Sequence, residues 1–300
     1  MNPLRVVFIG SSQWGLKALR VLTDLEDIQV VGAVTNPAVF KISYRPSGVK
    51  NVHHADVAGF CADVGIPVYT MAADESMKSP GLLAQLEVWQ PDYFFALGWY
   101  HVIPKAIRNL APVLGIHYSR LPDYAGGAPL VWALINRETV VGATFFQLDG
   151  GIDTGPIIGV AEVDVKPRET IGALYERVGQ ASLALLSRAF PRFARGEIRA
   201  VPQTGEGRRV YPQRGPEDGL IDWTQSAIDI DAFIRAQTRP YPGAFFHDRE
   251  RKITVWSAVP SSPPSALNPG EWRVHGASVF IGCGHDALML QDVECDGRGF

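Results

Sequence analysis

The stretch Arg5-Val6-Val7-Phe8-Ile9-Gly10-Ser11-Ser12-Gln13-Trp14 decides the fold. From Val6 to Ile9 the apolar run is continuous rather than alternating, which is the pattern of a strand buried on both faces. Gly10 ends the run and Ser11-Ser12-Gln13 make a turn. Apolar residues then recur four apart at Trp14, Ala18 and Leu22, with Leu19 beside them, so the spacing predicts a helix over 14–22. Ile28 to Val34 reads as a second buried strand. A strand–helix–strand unit closes by a right-handed crossover, so these two strands are expected to be parallel.

The alternation continues outward. Helices are expected at 55–64, 80–89, 104–110 and 128–136, and strands at 67–69, 93–97, 113–117 and 141–148. That order predicts an α/β fold with a doubly wound, mostly parallel Rossmann-like sheet. A long helix is expected over 169–194, with Leu174, Val178, Leu185, Leu186 and Phe190 on its apolar side. Gly, Pro and charge then dominate 203–219, which reads as a linker. Beyond it come a helix at 226–237 and short strands at 253–256, 278–281 and 287–293, the pattern of a small mostly-β carboxy-terminal domain. The expected division is 1–203 and 204–300. Residues 259–270, with Pro260, Pro263, Pro264 and Pro269, are expected to form a loop.

Composition narrows the function. The 300 residues carry a formal net charge of −3, without the basic excess that general phosphate binding needs. No run reaches the roughly 18–20 apolar residues of a membrane span. Met1-Asn2-Pro3-Leu4-Arg5 is not expected to open a signal peptide, because Gly10 interrupts the apolar stretch. Cys61, Cys283 and Cys295 are an odd set with no C-x-x-C pair, which disfavours both a disulfide framework and a thiolate metal site. A reduced, cytoplasmic protein with no membrane partner and no metal is expected. Cys283 and Cys295 are read as small buried fillers in strands. His53-His54 is read as a polar loop, and Lys41, Arg45 and Lys50 as a solvated basic one.

Two stretches could carry chemistry. Gly115-Ile116-His117-Tyr118-Ser119-Arg120-Leu121-Pro122, followed by Gly126-Gly127-Ala128-Pro129, puts an imidazole at the carboxyl end of an expected strand, where open α/β sheets bind ligands. Asp149-Gly150-Gly151-Ile152-Asp153-Thr154-Gly155-Pro156 puts carboxylates on a glycine-rich loop after another strand. A carboxylate there could orient the imidazole and stabilise its charge. Taken singly, a strand-end histidine is more often structural, and an Asp-Gly-Gly turn is ordinary loop chemistry.

Together the motifs resemble a known family. His117-x-Ser119-x-Leu121-Pro122 with Gly126 and Pro129 is similar to the H-x-S-L-L-P…G…P signature of the N10-formyltetrahydrofolate-dependent formyltransferase superfamily. Gly142-x-Thr144…Gly151-Ile152-Asp153-Thr154-Gly155 resembles its G-x-T…G-[LI]-D-T-G loop, with Asp153 36 residues after His117. Gly219–Trp223, Ile234-Arg235-Ala236 and Tyr241-Pro242-Gly243-Ala244 look like the family's carboxy-terminal domain. The resemblance implies that His117 acts as general base or oxyanion donor and that Asp153 holds the imidazole and shuttles protons. It implies N10-formyltetrahydrofolate as donor, with the pterin held by Ala96, Leu97, Gly98, Trp99, Tyr100, Asp149, Gly150, Gly151 and Ile152. Ser11, Ser12 and Trp14, with Ser119, are the expected acceptor contacts.

Two positions depart from the family pattern. Gly115 stands where the family carries an asparagine that helps stabilise the oxyanion, and Ala125 stands where a basic residue is common. The related hydrolase domain of 10-formyltetrahydrofolate dehydrogenase also lacks the asparagine. Release of formate from the donor, or mere folate binding as a piece of a larger protein, therefore stand as alternatives to transfer. Residues 201–300 carry ten basic against thirteen acidic side chains. A small-molecule amine acceptor and no nucleic acid are expected on that ground. Resemblance to sugar-nucleotide formyltransferases makes a nucleotide-linked amino sugar the first choice, with an amino-acid-derived amine as the other. An oligomer is possible.

Overall fold

The computed structural model describes residues 3–42, 45–262, 265–296 and 298–299. Pro263 and Pro264 of the expected loop lie outside the described residues, as do Met1, Asn2, Gly297 and Phe300. The chain forms two compact units. One comprises Met1–Pro122, Gly142–Ala161 and Gly179–Gly207, the other Asp123–Val141, Glu162–Val178 and Arg208–Phe300.

In chain order the elements begin with β1 (Leu4–Ile9), α1 (Gln13–Thr23), β2 (Ile28–Thr35), β3 (Val39–Ile42), β4 (Arg45–Lys50), α2 (Val57–Val64) and β5 (Val68–Thr70). There follow α3 (Pro80–Trp89), β6 (Tyr93–Ala96), α4 (Lys105–Leu110), β7 (Val113–His117), β8 (Ala125–Gly126) and α5 (Pro129–Ile135). Next come β9 (Val140–Leu148), β10 (Ile157–Asp164), α6 (Ile171–Ala194), β11 (Val210–Tyr211) and α7 (Ala227–Gln237). The chain closes with β12 (Ala244–Asp248), β13 (Arg251–Ser261), β14 (Trp272–His275), β15 (Ser278–Gly282), β16 (Ala287–Cys295) and β17 (Arg298–Gly299).

The main sheet has seven strands in the order β10-β9-β7-β6-β1-β2-β5. Five neighbours, β5, β2, β1, β6 and β7, run parallel, and β9 lies antiparallel to β7. The α/β architecture and mostly parallel sheet are therefore as the alternation predicts. Ser12 starts α1 as its N-cap, its hydroxyl accepting from Gly15 N at 3.1 Å. Val6, Val7, Phe8 and Ile9 are fully buried, as a strand covered on both faces requires. Leu82 and Leu86 of α3 and Ile107 of α4 pack with Val7, Ile9 and Phe94. Phe190 of α6 packs with Phe95 and Phe145, with ring centroids 6.2 and 5.7 Å away.

In the second unit the strands β12-β13-β16-β15-β14 form an antiparallel sheet, with β17 paired to β16. Ile230 and Ile234 of α7 pack on Val255, Ile281 and Leu288. The mostly-β character of this region is thus present.

Several local expectations need correction. Lys41, Arg45 and Lys50 are not in a basic loop but in the antiparallel pair of β3 and β4, because Phe40 and Ile42 are buried and draw the segment inward. The Arg45 side chain lies outside the described residues. The loop expected from 259 starts later, since β13 runs through Ser261 and pairs with β16. Cys283 is buried but falls just after β15, and burial pushes its thiol up to about 11. Cys295 ends β16 and is only partly buried, so it is not a core filler. Cys61 is buried in α2, its thiol likewise pushed up to about 11 by burial. Among the described residues no helix is long and apolar enough to cross a membrane, and no His/Cys/Asp/Glu group could hold a metal ion.

Candidate active site

Parallel strands carry their carboxyl ends to one edge of the sheet, where the loops that follow them can converge. The loop after β6 supplies Leu97 and Trp99, and β7 ends at His117. Across the ladder His117 stands opposite Thr144 of β9, and Gly115 opposite Phe146. These segments and the loop after β9 enclose a cavity of about 350 Å³. Its lining includes Ala96, Leu97, Gly98, Trp99, Gly115, His117, Asp149, Gly151, Ile152 and Asp153 from the expected set. Tyr100, Gly150, Ser11, Ser12, Trp14 and Ser119 lie off the lining.

His117 Nδ1 stands 3.7 Å from Asp153 Oδ2, with side chains 14% and 22% exposed. That is an ion-pair distance, longer than a hydrogen bond, between two half-buried side chains. Catalytic hydrogen bonds are often long before substrate binds. Asp153 holds a left-handed backbone at φ +51°, a conformation that costs free energy and persists only when neighbours impose it. Here the neighbours are identifiable. Asp149 Oδ1 accepts from Gly151 N at 2.9 Å and from Thr154 Oγ1 at 2.6 Å, which folds the loop. Gln203 Nε2 donates to the carbonyls of Asp153 at 2.9 Å and Gly155 at 2.7 Å, which clamps it. Gln203 was not legible as a site residue, because nothing local marks a glutamine whose partners lie about fifty positions away.

The expected acceptor contacts sit elsewhere in the packing. The Ser12 hydroxyl is used as the α1 cap. Trp14 is buried, packed where a Cβ on Gly179 would stand 2.2 Å from its ring. Ser11 is fully buried and its carbonyl accepts from Asn51 Nδ2, while Tyr100 Oη donates to Asn51 Oδ1. The Ser119 carbonyl accepts from Thr144 Oγ1 at 2.7 Å, tying the His117 segment to β9.

Three lining residues were absent from the expected set and matter chemically. His101 lies between Phe40 and Trp99, with ring centroids at 5.2 and 5.1 Å, and burial lowers its pKa so that it is neutral at neutral pH. Leu148 fills the space beside Gly115: a Cβ there would stand 2.8 Å from Leu148 Cδ1 and 3.0 Å from the Ala96 carbonyl. Arg108 reaches the cavity from α4, and its buried Nε has no hydrogen-bond partner. Trp99 Nε1 is likewise buried and unpartnered. A cavity with apolar walls, an orphaned indole N–H and convergent charged groups suits a flat heteroaromatic ligand bearing acceptor atoms. Its volume lies at the lower end of the usual range for small-molecule sites, about 300–1,000 Å³.

Comparison with known proteins adds to this geometry. Residues 4–190 match the formyl transferase family, and residues 214–299 match its C-terminal domain. A methionyl-tRNA formyltransferase of Chloroflexus aggregans is 32% identical over 98% of this chain and 94% of its own length. That of Frankia alni is 31% identical over 99% of this chain and 88% of its own length. Among solved structures, an N-formyltransferase from Helicobacter canadensis, in complex with folinic acid and dTDP-3-aminofucose, superposes with a TM-score of 0.72 at 15% identity. That match covers 99% of this chain and 100% of the other.

The relatives overturn one expectation. Net charge predicts a small-molecule acceptor with no nucleic-acid partner, yet the relatives at 32% and 31% identity are methionyl-tRNA formyltransferases. The inference failed because a sum over a hundred residues carries no information on where the charges lie. A nucleic acid responds to the local field of a patch, not to the total.

Proposed function

The chain belongs to the formyl transferase family, an enzyme that takes its formyl group from formylated tetrahydrofolate, and we propose that His117 and Asp153 carry the reaction and that the acceptor is the amine of methionyl-tRNA. The domain reading that goes with this is a catalytic domain over 1–203 and a carboxy-terminal domain over 204–300. What supports the roles is the 3.7 Å approach of His117 and Asp153 on the wall of a cavity. The acceptor reading is supported by relatives at 32% and 31% identity along nearly the whole chain.

The chemistry asks for three things of the protein. The amine must lose a proton so that its nitrogen can bond to the formyl carbon. The negative charge on the formyl oxygen must be stabilised, and N10 must receive a proton as its bond to carbon breaks. His117 accepts the first proton, and as imidazolium it stabilises the oxyanion and returns a proton toward N10. Asp153 fixes the imidazole and offsets its charge. Leu97 and Trp99 hold the pterin, and Trp99 Nε1 supplies a donor that the protein itself leaves unpaired.

Formylation assays with charged initiator tRNA, with a dTDP-linked amino sugar, and with no acceptor test the reading. Transfer to the tRNA is expected. Transfer only to the amino sugar would replace the acceptor while keeping the reaction. Formate release in water would make the chain a hydrolase, and donor binding without turnover would leave only folate binding.

Gly115 gives a second expected outcome. Gly115→Asn alone should lower both thermal stability and rate, because its Cβ meets Leu148 Cδ1 and the Ala96 carbonyl. Combined with Leu148→Ala, which empties that space, it should raise kcat about tenfold or more over Leu148→Ala alone, since an added oxyanion donor is worth that much or more. Steady-state kinetics of the three variants decide it. Equal rates for the double variant and Leu148→Ala would mean no donor is missing at 115.

A further inference from the structure

Arg108 sits oddly for a cation. Ile107 beside it is fully buried in the core, which anchors α4, and the half-buried Arg108 lines the cavity. Its Nε is buried without a hydrogen-bond partner, and it enters no ion pair among the described residues. A guanidinium partly removed from water and held in no ion pair is costly, and an arriving anion recovers that cost. The terminal nitrogens lie 3.8 and 3.9 Å from where a Cβ on Gly150 would stand. Gly150 and Asp149 are exposed, whereas Gly115 and Leu97 are buried, so Arg108 belongs to the rim and not the floor.

We propose that Arg108 binds a carboxylate of the glutamyl tail of the folate donor. The inference rests on the reading of this cavity as the donor site. A tetrahydrofolate has an uncharged ring system at one end and carboxylates at the other. A cavity of about 350 Å³ with an apolar floor takes the ring end, which leaves the tail at the rim. Arginine is the side chain whose fork matches a carboxylate with two parallel hydrogen bonds. Asp149 at the same rim would repel the tail. Its Oδ1 is already engaged by Gly151 N and Thr154 Oγ1, which disperses its charge.

Equilibrium binding to the full chain tests this, using tetrahydrofolate and tetrahydropteroate, which lacks the glutamate. Wild type should prefer tetrahydrofolate by about tenfold or more, a preference that shrinks as salt is added. Arg108→Ala should lose that preference and bind tetrahydropteroate as wild type does, and Arg108→Lys should retain part of it. Equal weakening toward both ligands would assign Arg108 a structural role and overturn the proposal. So would a wild type that binds both equally, while leaving the donor-site reading intact. Failure of wild type to bind either would overturn that reading and this proposal together.

Discussion

His117→Ala and Asp153→Asn should each lower kcat for formyl transfer by about 10²–10³-fold or more, with tetrahydrofolate affinity within a few-fold of wild type. The size follows from what each group does. A positioned acid–base residue contributes about 10²–10⁴-fold, and a charged donor facing a developing oxyanion contributes a comparable amount. The affinity should hold because the ring is proposed to be bound by the apolar walls and the Trp99 N–H, and neither depends on the 3.7 Å pair. The asparagine at 153 keeps the side-chain shape but removes the negative charge facing Nδ1, so the imidazole loses both its orientation and its partner when protonated. Single-turnover rates with saturating donor, alongside direct binding, separate chemistry from binding. Rates near wild type in either variant would remove that residue from the mechanism.

Gly155→Ala should be nearly as damaging to activity, and it should also destabilise the fold by about 3 kcal/mol, a large overpacking effect. A Cβ at 155 would lie 1.7 Å from the Gln147 carbonyl oxygen and 2.9 Å from its carbon. Those are backbone atoms of β9, which pairs with β7, so the obstacle cannot turn aside as a flexible side chain could. The loop must instead peel away from the strand. That strains the bond from Gln203 to the Gly155 carbonyl and displaces Asp153 two residues earlier. Thermal melts should fall by several degrees, and kcat should drop about a hundredfold, as misplacement of a catalytic group by an ångström can produce. An unchanged melt and rate would show that the loop tolerates a shape the packing forbids.

The main architecture was readable because its signals are local. The run Val6–Ile9, the Trp14-Ala18-Leu22 spacing and the glycine after β1 each announce an element within ten residues. His117 and Asp153 were readable as types in a pattern, one at a strand end and one on a glycine-rich loop. The unreadable parts depend on contacts across long stretches of chain. Lys41, Arg45 and Lys50 read as a basic loop, and only the burial of Phe40 and Ile42 shows the β3–β4 strand pair that carries them. Arg108 looks like any helix arginine until α4 is docked with Ile107 inward. Gln203 was placed at the edge of a linker, yet its two hydrogen bonds hold the Asp153 loop. Leu148 is an ordinary strand-end leucine whose importance appears only beside the bare backbone at 115.

The fit of Leu148 against Gly115 has a consequence for substitution at either position. Because a leucine methyl stands 2.8 Å from where a first side-chain carbon would lie, an amide gained at 115 obliges the β9 leucine to turn aside in the same step. A shorter residue on β9 removes that demand, so the two positions should be coupled: the cost of a side chain at 115 depends on what stands at 148.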